Sequence, residues 1–333
     1  MQNEEHFDRR RFLRLGFYAA AALGLFGIGH FLDLNDEADK TDLGVKSSTK
    51  DESAYRIPRR QLGLTGEQIS LIGLGGSFTL ADGNKAEEAE KIIERAIDAG
   101  INYLDTAPTY GHSEANLGRV MERRRKEVFL AGKTRERSYD GTMQIFEQSL
   151  ERLKTDRLDL LQLHGIHTSD ELEAVFAPDG ALEAIKKLKD EKAVRHIGIT
   201  SHKNPRVLME ALERFDFDSA LFPLNAADPY YQSFQKEFLP AAQAKSLGLI
   251  AMKSAAYGRI FRKGGISTMQ EALGYTLSFP VSTTIIGTTT LSELEENIRL
   301  AENFKPLPAE ELERLEQLVM PYQDEANFFK TEW

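Results

Sequence analysis

The 333-residue sequence contains no cysteine, which excludes disulfide bonds, thiol catalysis and thiolate metal ligands. It also lacks an excess of positive charge, because 42 Lys and Arg residues against 52 Asp and Glu residues give a net charge of -10. Proteins that bind nucleic acid must neutralise phosphates, so this balance argues against a nucleic-acid partner. The proportions of hydrophobic and charged residues, 41% and 28%, are typical of a folded globular chain.

A further absence concerns dinucleotide binding. No Gly-x-Gly-x-x-Gly loop occurs in the sequence, which argues against a Rossmann-type site. What the sequence does contain, from about residue 70 onward, is an alternation of short apolar runs with segments of helical period. The apolar runs end near Gly75, Asp105, Lys133, His164, Thr200, Leu224, Met252 and Gly287. Eight such units favour a closed (β/α)8 TIM barrel over an open doubly wound sheet.

Two shorter patterns refine this expected fold. The segment Arg60–Ser70 predicts a hairpin with its turn around Thr65 and Gly66, placed across the bottom of the barrel. In the first predicted helix, apolar residues recur at three- and four-residue spacing, and Gly100 stands where a helix C-cap belongs. The periodic residues are Ala89, Ile92, Ile93, Ala96 and Ile97. We expect them to face the core.

The sequence of the N-terminal segment predicts a targeting signal rather than part of the barrel. Arg9 and Arg10 are followed by Phe12, Leu13 and Arg14 and then by a mostly apolar run that extends to Leu32. This pattern resembles a twin-arginine signal, although Asp8 stands where Ser or Thr is usual. The run of about 18 residues approaches the length of a membrane-spanning helix. A cleaved signal, a membrane anchor and an amphipathic helix packed on the barrel therefore remain open.

These patterns predict three segments. Residues 1–32 are a signal or membrane anchor, residues 33–54 a polar linker, and residues 55–333 the barrel. The signal predicts contact with the twin-arginine export machinery, and with the membrane only through residues 10–32. We accordingly expect a periplasmic protein, or one anchored on the outer side of the inner membrane. If the signal is not functional, the expected location is the cytoplasm.

Ionisable residues end three successive predicted strands. Ile101–Asp105 ends in a carboxylate, Val128–Lys133 in an ammonium group and Leu158–His164 in an imidazole, while Tyr110 lies in a turn-rich loop just after the first. Taken alone, an ionisable residue at the end of a strand is most simply explained by the strand reaching solvent at that point. Three in succession favour a site, because barrel enzymes place their active site at the carboxyl ends of the strands.

The residue types suit reduction of a carbonyl group. A tyrosine with its usual pKa near 10 exchanges protons poorly at neutral pH, but a lysine ammonium within hydrogen-bond reach lowers that pKa. Tyr110 is therefore a candidate general acid, with Lys133 as its activator and Asp105 as the partner that holds Lys133 charged. His164 would donate a hydrogen bond to the carbonyl oxygen. No side chain donates hydride, so a reduced nicotinamide must supply it.

At these motifs the sequence resembles the aldo-keto reductase superfamily. Leu104–Glu114, the Ala-Gly-Lys-Thr around Lys133 and the Leu-Gln-Leu-His ending at His164 are similar to the family's catalytic motifs, in the family's order. Gln61–Gly76 is similar to its opening hairpin and first strand, and the resemblance covers roughly residues 56–305. It implies an NAD(P)H-dependent oxidoreductase that reduces a small aldehyde or ketone to an alcohol, with Tyr110 as the proton donor.

The resemblance also implies a binding site for NADPH or NADH. Its residues would be Thr200, Ser201, Met252, Gly287, Thr288, Thr289 and Asn297. Gly287, Thr288 and Thr289 would offer donors to a phosphate at a helix N-terminus, and Asn297 would read adenine. Met252 stands at the position of the family's stacking aromatic, for which Tyr257 is a substitute. NADPH-specific members place basic residues in the last segment, whereas this sequence has Glu293 at one such position, so NADH becomes possible.

Two other classes of function stay open. A departure from the family at the cofactor pocket permits a nucleotide-binding regulatory barrel without turnover. His164 and His167 are three residues apart, which permits a metal-dependent hydrolase. On a strand end, however, this spacing places the two rings on different sides, and the sequence presents no third ligand, so we expect no metal. The complete set of four catalytic residues argues against both alternatives.

Overall fold

Eight of the ten strands close into a parallel barrel, as predicted, and helices surround it. The computed structural model describes residues 57–332. The strands are β1 (Arg59–Gln61), β2 (Gln68–Ser70), β3 (Ile72–Gly75), β4 (Tyr103–Asp105), β5 (Phe129–Thr134), β6 (Leu158–Leu163), β7 (Val194–Thr200), β8 (Ser219–Pro223), β9 (Gly248–Met252) and β10 (Thr283–Ile286). Around the barrel their order is β10-β3-β4-β5-β6-β7-β8-β9, so β10 closes on β3.

At least one helix follows every barrel strand. The helices are α1 (Ala86–Asp98), α2 (Ser113–Arg124), α3 (Tyr139–Leu153), α4 (Ser169–Phe176), α5 (Ala181–Asp190), α6 (Pro205–Arg214), α7 (Leu239–Ala244), α8 (Met269–Leu277), α9 (Leu291–Glu302), α10 (Ala309–Val319) and α11 (Gln323–Ala326). Because helices cover the outside and side chains fill the inside, every residue of β5 and β6 is buried. This double burial explains why the barrel strands read as continuous apolar runs.

The predicted hairpin is present at the amino end of the barrel. β1 and β2 pair antiparallel with Arg60 opposite Ile69, and the Thr65 backbone N–H closes the turn on the Leu62 carbonyl at 3.1 Å. Leu62 is fully buried beside Gly248, the first residue of β9. The hairpin therefore covers the bottom of the barrel and leaves the opposite end open.

The first barrel helix shows how the apolar stripe directs packing. The five periodic residues of α1 named above are all buried, so the predicted core face is confirmed. Gly100 adopts a φ of 92°, in the left-handed region that residues with a Cβ rarely adopt, and its N–H bonds the Ile97 carbonyl at 2.9 Å. This turn ends the helix and directs the chain into β4.

The predicted signal or anchor of residues 1–32 and the linker of residues 33–54 lie outside the described residues. Between residues 57 and 332, no helix is both long and apolar enough to cross a membrane.

Candidate active site

Four ionisable side chains lie together at the carboxyl end of the barrel. Asp105 is the last residue of β4, Lys133 belongs to β5, and His164 directly follows β6. Tyr110 lies in the loop between β4 and α2. The three strands are neighbours, so their carboxyl ends share one side of the barrel mouth. The structure thus brings together all four residues that the sequence indicated.

The contacts within this group are close. The Lys133 ammonium forms an ion pair with the Asp105 carboxylate and donates a hydrogen bond of 3.0 Å to the Thr106 carbonyl oxygen. The same nitrogen lies 4.9 Å from the centre of the Tyr110 ring. The rings of Tyr110 and His164 meet edge to face, with their centroids 5.8 Å apart. Tyr110 therefore lies close to both the ion pair and the imidazole.

The ion pair is almost completely removed from solvent, with side-chain exposures of 0% for Lys133 and 4% for Asp105. Burial raises the pKa of Asp105 and lowers the pKa of Lys133, while the contact between them opposes each of these shifts. The Gln162 amide lies 3.5 Å from the second Asp105 oxygen. Removing either partner would leave a buried charge without compensation, so the two residues act as a unit of zero net charge.

The structure corrects one expectation, that the pKa of Tyr110 lies below its usual value. Burial, and after it the negative charge of Asp105, raises that pKa well above its usual value of 10. The Lys133 ammonium faces the tyrosine ring, and within residues 57–332 the Tyr110 hydroxyl has no hydrogen-bond partner. The phenol therefore stays protonated at neutral pH, as a proton donor must.

The His164 imidazole is neutral in this environment. Burial, followed by the positive charges of Lys133 and Arg135, lowers its pKa well below 6.5. Its Nδ1 is buried and has no hydrogen-bond partner in the described part of the chain. A proton on Nδ1 would find no acceptor there, which favours the neutral form that carries its proton on Nε2. Nε2 is then the atom that can donate to a substrate oxygen.

A cavity of about 760 Å³ extends from this group to the loops after β9 and β10. Asp105, Tyr110 and His164 line one part of it. Of the residues expected to contact the cofactor, Met252, Gly287, Thr289 and Asn297 also line the cavity. The space is thus continuous from the catalytic group to the segment expected to hold the adenosine of a dinucleotide.

The other three expected cofactor residues lie differently. Thr200, Ser201 and Thr288 are buried and do not belong to the cavity lining. The Thr200 hydroxyl accepts a hydrogen bond of 2.7 Å from the Gly165 N–H, and the Ser201 hydroxyl lies 3.2 Å from Nδ1 of His167. These contacts fix the loop that carries His164. The next residue, His202, lines the cavity in their place.

The loop after β10 already holds a carboxylate. Glu293, in the first turn of α9, accepts hydrogen bonds from the N–H and the hydroxyl of Thr289 at 2.7 and 2.5 Å. The Thr290 hydroxyl caps the helix by accepting from the Glu293 N–H at 3.2 Å. Glu293 and Glu296 are the charged residues that α9 contributes to the cavity lining. This end of the cavity is therefore acidic.

Lys253 is a cavity residue that the sequence reasoning missed. It directly follows β9 and adopts a φ of 66°. Its carbonyl accepts hydrogen bonds from the Asn225 side-chain amide at 3.0 Å and from the Ala256 N–H at 2.9 Å, which stabilise this left-handed conformation. The ammonium lies 4.1 Å from the centre of the Tyr257 ring. Burial, together with the positive charge of Lys133, lowers the pKa of Lys253 to about 7.

The signal for Lys253 was present in the sequence. The seventh apolar run ends in Met252-Lys253, which repeats the pattern of an apolar run followed by an ionisable residue. Tyr257, proposed as a stacking aromatic, also lines the cavity, where its ring packs 5.3 Å from that of Phe78. Between residues 57 and 332, no group of three or more His, Cys, Asp or Glu residues is arranged to hold a metal ion.

The comparisons with known proteins agree with this geometry. Residues 71–263, more than half of the chain, match the model of the Aldo/keto reductase family. The chain belongs to this family and is an NAD(P)H-dependent oxidoreductase, whose cofactor is NADPH or NADH.

Relatives span nearly the whole barrel. The "Uncharacterized oxidoreductase YqkF" of Bacillus subtilis (strain 168) is 28% identical in an alignment of 306 residues that covers 78% of this chain and 95% of the relative. The holo form of aldo-keto reductase AKR11C1 from Bacillus halodurans has a TM-score of 0.67 at 27% identity, covering 79% of this chain and 96% of that one. An aldo-keto reductase from Klebsiella pneumoniae, in complex with NADPH, shares the fold at 21% identity, with a TM-score of 0.65 over 79% of this chain and 95% of that one.

Proposed function

We propose that this protein reduces the carbonyl group of a small aldehyde or ketone to an alcohol, with Tyr110 as the proton donor. The observation that carries this proposal is the position of the Tyr110 phenol on the cavity wall, close to both the Lys133–Asp105 ion pair and the His164 ring. A reduced nicotinamide, when bound, supplies the hydride to the carbonyl carbon.

The protein side chains perform the proton chemistry. Nε2 of His164 donates a hydrogen bond to the carbonyl oxygen and holds it beside the Tyr110 hydroxyl. As that oxygen gains negative charge, Tyr110 transfers its proton to it, which completes the alcohol and leaves a tyrosinate. The Lys133 ammonium, 4.9 Å from the tyrosine ring, stabilises this tyrosinate until solvent returns a proton. Asp105 keeps Lys133 charged throughout.

A panel of aldehydes and ketones, assayed with NADH and with NADPH, tests this proposal. We expect substrate-dependent oxidation of one cofactor. The alternative of a nucleotide-binding regulatory barrel predicts tight nucleotide binding with no turnover of any carbonyl. The assembled catalytic group supports turnover, because a binding module has no use for a buried ion pair behind a protonated phenol.

The cofactor would lie on the β9 and β10 side of the mouth. Its nicotinamide must approach the carbonyl held by Tyr110 and His164, so its adenosine extends to the far end of the cavity, where Asn297 lies. Lys253, which follows β9 and lines the cavity, would hold the diphosphate.

We further propose that NADH is preferred to NADPH. The donors of Thr289 that a phosphate would use are already bound by the Glu293 carboxylate, and Glu296 adds a second negative charge. A 2′-phosphate at this end would meet like charges, whereas ribose hydroxyls can donate hydrogen bonds to Glu293.

Direct titration tests the preference without any turnover. We expect NADH to bind at least about tenfold more tightly than NADPH, and Glu293→Gln to narrow this ratio by strengthening NADPH binding. Glu310→Gln makes the same charge change at a residue outside the cavity lining and should leave the ratio unaltered. Equal affinities in the native protein would contradict the assignment.

The N-terminal pattern supports a proposal about location. Because Arg9-Arg10 and the apolar run that follows resemble a twin-arginine signal, we propose export of the folded enzyme with its nicotinamide already bound. Free cofactor is scarce outside the cytoplasm, so the bound cofactor should be held tightly. Fractionation of cells that produce the native chain and the Arg9→Lys/Arg10→Lys variant tests export. Recovery of exported protein that is cofactor-free and binds nicotinamide only weakly would contradict it.

A further inference from the structure

Arg135 contributes a positive charge at the catalytic side of the mouth. It directly follows β5, the strand that carries Lys133. Arg135 lines the cavity and is exposed, and within residues 57–332 the structure gives it no ion pair or hydrogen bond. The next arginine differs. Arg137 donates to the His164 and Gly165 carbonyls at 3.1 and 2.9 Å and pairs with Glu171 at 3.1 Å. Arg137 thus fixes the wall, while the guanidinium of Arg135 is available to a ligand.

The charge of Arg135 reaches the reacting groups. It lowers the pKa of Tyr110, where it opposes the larger effects of burial and Asp105. It also lowers the pKa of His164, after burial and Lys133. Lys133 is neutralised by Asp105, so Arg135 leaves this side of the cavity with a surplus positive charge in a chain of net charge -10. A positive charge on this side of the cavity favours an anionic ligand there.

The position in the barrel separates this cation from the phosphates of the cofactor. β5 lies four strands from β9 in either direction around the barrel, so Arg135 and Lys253 face each other across the mouth. A dinucleotide that extends from the catalytic group to Asn297 passes the β9 and β10 loops and leads away from Arg135. The ligand on the Arg135 side is therefore the substrate.

We infer that Arg135 binds an anionic group of the substrate, so that the enzyme acts on aldehydes or ketones that also carry a carboxylate or a phosphate. This inference rests on the proposed carbonyl reduction. The planar guanidinium suits both groups, because each presents two oxygens that can accept parallel hydrogen bonds.

Matched substrates test the inference. We would compare kcat/KM for 4-carboxybenzaldehyde and its methyl ester, and for glyceraldehyde 3-phosphate and glyceraldehyde. The native enzyme should prefer the anionic member of at least one pair by about tenfold or more, the effect of one charged hydrogen bond. The pair that shows the preference distinguishes carboxylate from phosphate. Arg135→Gln should bring the ratio of the two kcat/KM values close to one, and Arg135→Lys should restore part of the preference.

A control separates this local effect from net charge. Arg206→Gln makes the same charge change at an exposed residue of α6 that pairs with Glu237 and does not line the cavity. It should leave both preferences intact. The dissociation constant for NADH should be the same in Arg135→Gln and the native protein. A loss of NADH affinity would assign Arg135 to the cofactor and overturn the inference, as would equal kcat/KM for both members of both pairs.

A binding measurement keeps the inference testable if no carbonyl is reduced, a result that would contradict the proposed function alone. Calorimetric titration with 4-(hydroxymethyl)benzoate and with its methyl ester reports anion binding without turnover, and 3-phosphoglycerol against glycerol does so for phosphate. Tighter binding of an anion, lost in Arg135→Gln, would support the anion site. Equal binding in the two proteins would contradict it.

Discussion

If Lys253 binds the cofactor, its lowered pKa should make cofactor affinity depend on pH. Its pKa is lowered to about 7, so the ammonium form is abundant at pH 6 and scarce at pH 8. If the ammonium binds the diphosphate, this charged hydrogen bond is worth about 1.5–3 kcal/mol. Binding therefore raises the pKa of Lys253 by about one to two units, at about 1.4 kcal/mol per unit. Between the free and the bound pKa, the dissociation constant should rise about tenfold per pH unit.

Calorimetric titration with NAD⁺ at several pH values from about 6 to 9 measures this dependence directly. Lys253→Arg keeps its charge over the whole range, so its affinity should stay nearly constant with pH. Lys253→Met should bind weakly at every pH and report any contribution from other titrating groups. A flat profile in the native protein, like that of the arginine variant, or the native slope in the methionine variant, would contradict binding of the diphosphate by Lys253.

The structure supports three further expectations. Lys133→Met should lower the free energy of unfolding in urea by about 3–5 kcal/mol, because Asp105 is left buried and unpaired. The double variant Lys133→Met/Asp105→Asn should recover much of this lost stability. Lys330→Met should lower the free energy of unfolding by a similar amount, because Lys330 donates to the Asp228 carboxylate at 2.7 Å and both side chains are almost fully buried. With saturating cofactor, kcat should show no basic limb from Tyr110 near pH 10 and no acidic limb from His164 near pH 6.5, because their pKa values are shifted outward.

A specific result would contradict each of these three expectations. A Lys133→Met single variant as stable as the double variant would show that Asp105 tolerates burial alone. Unfolding of Lys330→Met at the native urea concentration would mean that the Asp228 pair contributes nothing to stability. A kcat profile with a limb at the usual pKa of either catalytic group would contradict the effect of burial.

Much of the barrel, and the grouping of four ionisable side chains at its mouth, could be predicted, because local pattern and fold point to the same residues. Strands buried on both faces read as apolar runs, and their polar carboxyl ends mark the mouth, which located Asp105, Lys133 and His164. The pKa direction of Tyr110 could not be predicted, because burial outweighs the neighbouring charge and burial is a property of the packed structure. The role of Thr200 depends likewise on a hydrogen bond to Gly165, 35 positions away in the chain.

The loops after β9 and β10 contain contacts that the sequence alone could not predict. The left-handed conformation of Lys253 depends on the side chain of Asn225, a contact between two loops that no local pattern reveals. The identity of Glu293 was visible in the sequence, but its occupation of the Thr289 donors was not. The sequence therefore predicted the grouping of the four candidate catalytic residues better than the contacts within the loops after β9 and β10.

The most direct test of the account compares the native enzyme with Tyr110→Phe. Single-turnover reduction of a carbonyl substrate by bound NADH would be measured together with the dissociation constant for NADH. We expect the rate to fall by about 10²- to 10⁴-fold, because the proton donor is lost, while fold and cofactor affinity stay native. An unchanged rate with unchanged cofactor binding would show that Tyr110 is not the proton donor.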